Sequence, residues 1–401
     1  MHSHDPHVSA ADVFPPTAAA LAERIASVRP TDYARTRNAL DGAVTRLSPY
    51  LTHRFTSLPQ VYGEVTARHP LDPQHKLVYE FGWREYFHHV WAFRGNAIFA
   101  SLHQGLLPDG AYADAMPADI RGGCTGIPVV DEAVRTLYAT GYLHNHVRMW
   151  LASYVVHLRK VHLRAGADWL YAHLLDGDLA SNHLSWQWVA ATSSGKPYLF
   201  NADNVAKYAP PPWHSAGTAI DTSYDALDAV ARRRSPIALT ATGDAIDEPP
   251  MLQAPPDALE FLLPNDTDAV GRDVWLVHPW ALAELPTDLP PGALIIAIAL
   301  SPWHIRWPWS AKRWQFVGTR QRALSTLAWQ GDGASLRRAL AGARTVATNA
   351  DPHYGKLLSE LHPGIELRAV AQLFQPVARV CDSFSQWWRA TRVDPRCLPR
   401  E

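Results

Sequence analysis

The chain has 401 residues, 47% of them hydrophobic and 19% charged, which excludes wholesale disorder and leaves room for two or three domains with a buried core. Its 37 Lys and Arg are balanced by 38 Asp and Glu for a formal net charge of −1, so no global positive field drives polyanion binding and any nucleic-acid contact needs a local patch. Cys124, Cys381 and Cys397 are its 3 cysteines, too few and too scattered for a disulfide framework, a four-thiolate zinc site or a cysteine-held iron–sulfur cluster. A reducing cytoplasm is the expected setting. The apolar runs are short, Ala293 to Leu300 being the longest clear one, and MHSHDPH has neither the charged nor the apolar zone of a signal peptide, so no membrane span is expected. Sixteen Trp beside 20 His stand out; a flat indole serves packing, base stacking and electron transfer alike.

In chain order, residues 1–15 read as a disordered lead. His2, His4 and His7 offer metal donors, but ligation on a floppy segment costs its whole ordering entropy, and a free tail is the expectation. Residues 16–210 carry helical periodicity: AALAERIASV repeats apolar residues at helical spacing, and VDEAVRTLYATGYLHNHVRMWLASYVVHLRKVHL holds two adjoining helices with a break at Thr140 and Gly141. Residues 211–267 turn rich in Pro and small polar residues and read as a linker; the run Arg232 to Arg234 within it reads as a solvated charge run. From 268 the period changes. RDVWLVHPW and ALIIAIAL read as buried strands, KRWQFVGTRQRALSTLAW and SLRRALAGA as helices and ARTVATN as a third strand. No GxGxxG or GxxxxGKS loop accompanies them. The predicted fold is mainly α with a separate α/β part: an all-helical domain followed by a C-terminal α/β domain at 268–401 with a mostly parallel sheet.

Four segments of the helical half hold unusual polar and aromatic residues. In DYARTRNALDGAVTRLSPYLTHRF, Thr45 and Ser48 stand at a helix start, where hydroxyls and free N–H groups bind phosphate; ordinary capping is the plainer reading of this segment alone. In YEFGWREYF, Glu80, Trp83, Arg84 and Phe87 share a helical face. Glu80 and Arg84 there are either an i,i+4 surface pair or part of a pocket wall, and the flanking aromatics favour the wall. In TGYLHNHVRMW, Asn145, Arg148 and Met149 share a stripe. LLDGDLASNHLSWQWVA carries Asp176, Asp178, Asn182, Trp186 and Trp188, in an order that is not that of an EF-hand.

Together, NALDGAVTRLSPYL, WREYF, TGIPVVDEAVRTLYATGYLHNHVRM and LLDGDLASNHLSWQWVA resemble, in wording and order, the FAD-binding domain of the cryptochrome/photolyase family over about Asp32 to Pro210. The resemblance implies a U-shaped FAD with Tyr33, Thr45, Arg46, Leu47 and Ser48 on its pyrophosphate side. Arg84, Arg148, Asp176 and Asp178 would complete the cofactor contacts, and Asn182 would face flavin N5, where an uncharged amide both donates and accepts. It implies a substrate wall of Glu80, Trp83, Asn145, Met149 and Trp188 for a pyrimidine dimer flipped out of DNA, and Glu80, Asn182 and Trp186 as the catalytic set. Asn145, in place of the His of (6-4) enzymes, points to cyclobutane dimers. No metal is expected.

The sequence departs from the family pattern in three places. Leu163 stands where many relatives have the middle tryptophan of a flavin-reducing chain, leaving Trp150, Tyr154 or Trp169 as substitutes, with packing the default for each. His146 replaces an arginine, and His144 and His157 do not obviously compensate. Only about thirty residues precede Tyr33, where relatives carry an α/β antenna domain, whereas the α/β half here follows; its Trp-rich segments are expected to pack between domains, and any antenna chromophore is unknown. The expected function is light-driven repair of pyrimidine dimers in DNA by electron transfer from photoexcited reduced FAD. The rivals are a cryptochrome-like blue-light photoreceptor without turnover, and a non-catalytic flavoprotein that binds a macromolecule through the C-terminal half.

Overall fold

The structure, a computed structural model, describes residues 13–237 and 243–397. His2, His4 and His7 lie outside the described residues. The tail of the expected disordered lead is in fact part of the core: Phe14 is fully buried between Tyr50 and Tyr142, with the Arg24 guanidinium 4.6 Å over its ring. Its neighbours are tied down as well, since Arg24 donates to Val13 O and the Tyr50 hydroxyl donates to Pro15 O at 2.9 Å. One aromatic ring in an apolar slot, with its flanking carbonyls satisfied, orders a segment whose composition reads as disordered.

The helical half follows its punctuation. Helix α1 (Ala18–Ala26) begins where Thr17 accepts the Ala20 N–H, and it buries Leu21 and Ile25. Short helices α2 (Pro30–Thr36) and α3 (Ser48–Thr52) precede α4 (Leu58–Thr66), which opens with a Ser57/Gln60 capping box. α5 (Lys76–Arg94) is the long helix of the site. α6 (Pro128–Thr140) stops at Gly141, whose φ of 67° supplies the left-handed cap. α7 (Asn145–Ser153) runs on into a π-helical turn, Tyr154–Leu158. α8 (Leu163–His173) and α9 (Leu179–Val189) complete the bundle. Among the described residues no helix is long and apolar enough to cross a membrane.

The stretch expected to be a linker is packed instead. After α10 (Ala202–Tyr208) it buries Trp213 and Ile220, forms α11 (Tyr224–Ala231) and buries Leu259 and Phe261. Lys160, itself buried, donates to the carbonyls of His157, Val230 and Ala231 at 2.6–2.9 Å and so fastens α11 to the π turn. Glu248 accepts from Trp169 and His173 at 2.9 and 3.2 Å and pairs with Arg121. Pro-rich composition marks irregular backbone here, not loose packing.

Strands β1 (Asp273–Val277), β2 (Leu294–Leu300), β3 (Leu327–Gly331), β4 (Thr345–Asn349) and β5 (Glu366–Arg368) form a parallel five-stranded sheet in the order β3-β2-β1-β4-β5. β1 and β2 are buried throughout, as expected of central parallel strands. α12 (Ala311–Leu324) and α13 (Gly333–Leu340) are its main helices. The run KRWQFVGTRQRALSTLAW is therefore not one helix. Leu324 ends α12, and TLAW enters β3 because Trp329 and Ala328 are buried against β2. The strand order reverses between β1 and β4, where open α/β sheets receive ligands. Here that crevice is packed: Trp280 stacks on His353 at 4.4 Å and 5°, and His278 bonds Asn349 O at 2.8 Å.

The two halves meet along α5. α14 (Phe384–Ala390) lies across it, and a Cβ at Gly82 would fall 2.4 Å from the Trp388 ring. In a helix interior Ala normally outdoes Gly by about 1 kcal/mol, but here the added methyl strikes an indole. Gly82→Ala is therefore expected to lower stability by about 1–3 kcal/mol, the range for overpacking. Adding Trp388→Ala should remove that penalty in a thermal double-mutant cycle; additive effects would place the two residues out of contact.

Candidate functional site

The site is built around the Asp176–Gly177–Asp178 turn between α8 and α9. Asp176 accepts from Arg148 Nη2 at 2.7 and 2.9 Å, and Arg148 Nε donates to Leu143 O at 2.9 Å. Asp178 caps α9 by accepting the Ser181 N–H at 2.7 Å. Its other oxygen meets His88 Nε2 at 2.9 Å, His353 Nε2 at 3.5 Å and Arg84 at 3.9 Å. Burial pushes the Asp178 carboxyl upward, but His88, Arg84 and His353 outweigh it and hold the group well below the usual carboxylate range. On the first turns of α9, Asn182 donates its amide N–H to Ala167 O at 2.8 Å, which leaves its carbonyl oxygen without a partner among the described residues. The buried Ser181 hydroxyl has none either.

Beside the turn lies a cluster of arginines and tyrosines. Tyr142 is flanked by Arg148, Asp176, Arg46 and Arg24, and Tyr33 by Glu80, Arg37 and Tyr142. Burial, with His146 and Arg148 nearby, lowers His144 to about 4, and its Nε2 has no partner. The ion pairs here are Arg37–Glu80 at 2.7 Å and Arg148–Asp176, so Arg24 and Arg46 are left without a carboxylate among the described residues. Arg46 takes a φ of 50°, and Leu47 at the start of α3 offers its first N–H groups no side-chain cap. Glu80 thus pairs with Arg37 and not with Arg84, which reaches Thr52 Oγ1 at 3.2 Å instead.

A hollow of about 360 Å³ is walled by Trp83, Phe87, Val90, Leu184, Trp188, Ser193, Ser194 and the 381–385 segment. It brings together the two indoles expected to stack on a lesion, with Trp188 37% exposed. Phe384 lies flat on Trp83 at 4.1 Å and 10°. Glu80, Asn145 and Met149 are not among its walls. Asn145 is exposed and donates to Met149 Sδ at 3.6 Å. Sharing the α5 face with Trp83 does not bring Glu80 onto this concave surface, and Asn145 and Met149, on α7, do not reach it.

Residues 77–210 match the family described as the FAD binding domain of DNA photolyase. A deoxyribodipyrimidine photo-lyase of Streptomyces griseus is 35% identical over 164 residues, covering 41% of this chain and 36% of that protein. A cryptochrome DASH of Gloeobacter violaceus is 31% identical over 169 residues, covering 40% and 34%. A bacterial class III photolyase structure from Agrobacterium tumefaciens aligns with a TM-score of 0.43 at 25% identity, covering 52% of this chain and 46% of that one. Over residues 77–210 the helical half is similar to the cryptochrome/photolyase family. The chain spans less than half the length of these relatives.

The domain is one that holds FAD, and the residues present fit that cofactor. Two guanidiniums in excess of carboxylates, the Thr45 and Ser48 hydroxyls and the uncapped start of α3 suit a diphosphate. The unpartnered Ser181 hydroxyl and Asn182 carbonyl suit a polar ring edge. His146 bridges Asn38 O and Tyr198 OH at 2.9 and 3.1 Å. Trp186 is buried against Gly166. None of Trp150, Tyr154 and Trp169 forms a ring pair with it: Trp150 packs on His146 and Phe200, Trp169 on Tyr138 and His173, and Tyr154 bonds Arg159. Packing accounts for all three.

Arg37, Tyr142, His88 and Phe384 escaped the sequence reading. Arg37 and His88 sit four residues beyond Tyr33 and Arg84, a spacing that was legible; Phe384 is 301 residues from Trp83, and no local signal links them. On α5, Glu85 accepts the Leu373 and Phe374 N–H groups at 2.7 and 3.0 Å, and burial raises it to about 7 against the pull of those bonds. A carboxyl raised on folding contributes stability that is complete below its unfolded value and lost as pH climbs through about 7. The stability difference between wild type and Glu85→Gln is therefore expected to shrink from pH 5 to pH 8 in denaturant titrations; a difference that widens would refute this.

Proposed function

We propose that this flavoprotein repairs DNA, splitting cyclobutane pyrimidine dimers in the manner of a deoxyribodipyrimidine photolyase. The observation that carries the reading is the pair Trp83 and Trp188 opening on one hollow: broad indole faces stack on bases whatever their identity. A dimer within a duplex is out of reach and must be flipped into such a hollow. Bound FAD supplies the light-excited electron donor. The chain does the rest. Arg24, Arg46, Thr45 and Ser48 bind the diphosphate, and Tyr33 and Leu47 line it. Arg148, Asp176 and Asn182 orient the ring, with the amide of Asn182 able to accept a proton-bearing nitrogen. Phe87, Val90 and Leu184 line the hollow beside the indoles. Glu80, one turn before Trp83 and fixed by Arg37, is the acceptor for base N–H groups. Burial raises its carboxyl while Arg37 opposes the rise.

A cryptochrome-like photoreceptor without turnover is the second reading, and one observation favours it: Phe384 covers the face of Trp83 on which a base would stack. Relatives of both names match the chain.

Blue light acting on the purified, reduced flavoprotein is expected to restore irradiated oligothymidine, whether single- or double-stranded. Intact FAD without restoration would move the assignment to the receptor. Replacing either Trp83 or Trp188 by Ala should weaken binding of irradiated oligothymidine by about 5–150-fold, from stacking energies of about 1–3 kcal/mol per base. Glu80→Ala should slow repair while FAD stays bound. Release of flavin by that variant would instead make Glu80 and Arg37 part of the cofactor cradle.

A further inference from the structure

Arg313 belongs to α12 of the α/β half, yet its side chain ends under the Asp176–Gly177–Asp178 turn of the flavin domain. It is fully buried. Nη2 donates to Gly177 O at 2.5 Å and Nη1 to Tyr171 O at 3.1 Å, and the guanidinium lies 4.0 Å over Trp309 and 4.7 Å over Tyr171. Nε has no partner. The approach is possible because residue 177 is glycine: a Cβ there would stand 2.5 Å from Nη1.

The charge balance makes this placement unusual. Arg148 is matched by Asp176, Arg54 by Asp351, and Asp178 by His88, Arg84 and His353. No carboxylate stands within ion-pair distance of Arg313 among the described residues, and Asp176 and Asp178 act on it only across the turn. A buried cation held by carbonyls and an aromatic face is costly unless a nearby negative group offsets it. The bond to Gly177 O fixes the turn backbone from which both carboxylates hang, and the bond to Tyr171 O ties it to α8.

We propose that Arg313 is a positioning residue for the flavin: it locks the Asp176–Gly177–Asp178 turn from behind and leaves one uncompensated positive charge there, which favours the reduced, negatively charged cofactor over the oxidised one. The inference rests on the flavoprotein reading and adds that the α/β half tunes the flavin without touching it. A charge set in a low-dielectric interior acts on a neighbouring site with little screening, so its effect is legible in the redox balance and not only in stability.

The test compares wild-type holoprotein with Arg313→Lys and Arg313→Met, measuring the FAD dissociation constant and the midpoint potential against a reference dye. Arg313→Met is expected to weaken FAD at least tenfold and to lower the potential by about 30 mV or more, a tenfold loss in preference for the reduced form of a two-electron couple. Arg313→Lys keeps the charge but not the two-carbonyl bridge, and should weaken FAD while holding the potential near wild type. A folded Arg313→Met with wild-type affinity and potential overturns the proposal. So does a lowered melting temperature with no shift in potential, which is the mark of a purely structural arginine. Should Arg313→Met not fold, Arg313→Lys decides: unchanged FAD affinity, or a lowered potential, overturns the proposal. Wild-type protein that takes up no FAD would sink the flavoprotein reading itself, a failure distinct from unaltered variants of a yellow wild type.

Discussion

Two carboxylates buried side by side constrain everything near them. Asp176 and Asp178 stand two residues apart at the mouth of α9, and an ionised carboxylate in a protein interior is tolerated only with charge and hydrogen bonds around it. Their partners come from α7, through Arg148, from α5, through His88 and Arg84, and from the α/β half, through His353. Meeting that electrostatic demand fixes the positions of three separated parts of the chain. The same carboxylate that starts α9 thereby sets the register of α5 against it.

The arrangement explains how a chain with an irregular middle forms a packed whole. The connecting stretch is anchored by Lys160 and Glu248, each engaged by three groups. The abundance of tryptophan then finds its use. Trp280, Trp303, Trp307, Trp309 and Trp314 form a continuous aromatic layer with His53, His304 and His353, which fills the junction between sheet and bundle. Large rings bury much area in such a seam; Trp309 and Trp314 also donate to Tyr171 OH and Leu252 O, while the Trp280 and Trp303 N–H groups have no partner among the described residues. Trp83 and Trp188 differ from these in facing a hollow.

The ligand-receiving ends of the sheet follow the same logic. A doubly wound sheet offers a crevice where its strand order reverses, but here His278, Trp280 and His353 occupy it. The α/β half therefore contributes to the site through what it projects, Arg313 beneath the turn and Phe384 over Trp83, and not through a crevice of its own. Both contributions lie where the two halves meet.

Much of this was legible in the residues. Periodicity located α6 and α7 and the Gly141 break between them, because a left-handed cap is a local requirement that only a few residues meet. Alternation of apolar runs with helical ones identified a parallel sheet. The motif order placed Arg148, Asp176, Asp178 and Asn182 in one neighbourhood. Other features depended on partners distant in sequence. Phe14 is ordered by Tyr50 and Tyr142, and Trp329 joins a strand because β2 needs a neighbour. Glu80 chooses Arg37 over Arg84, since side-chain direction and burial, not spacing, decide which cation is nearer. The sequence by itself determined the helical and strand periods and the turns, which rest on interactions within a few residues, and the order of its motifs carried the resemblance to a flavin domain. Only the tertiary structure decided which charges pair, which indoles remain uncovered and what lies behind the aspartate turn, because burial and electrostatic compensation are properties of surfaces brought together from far along the chain.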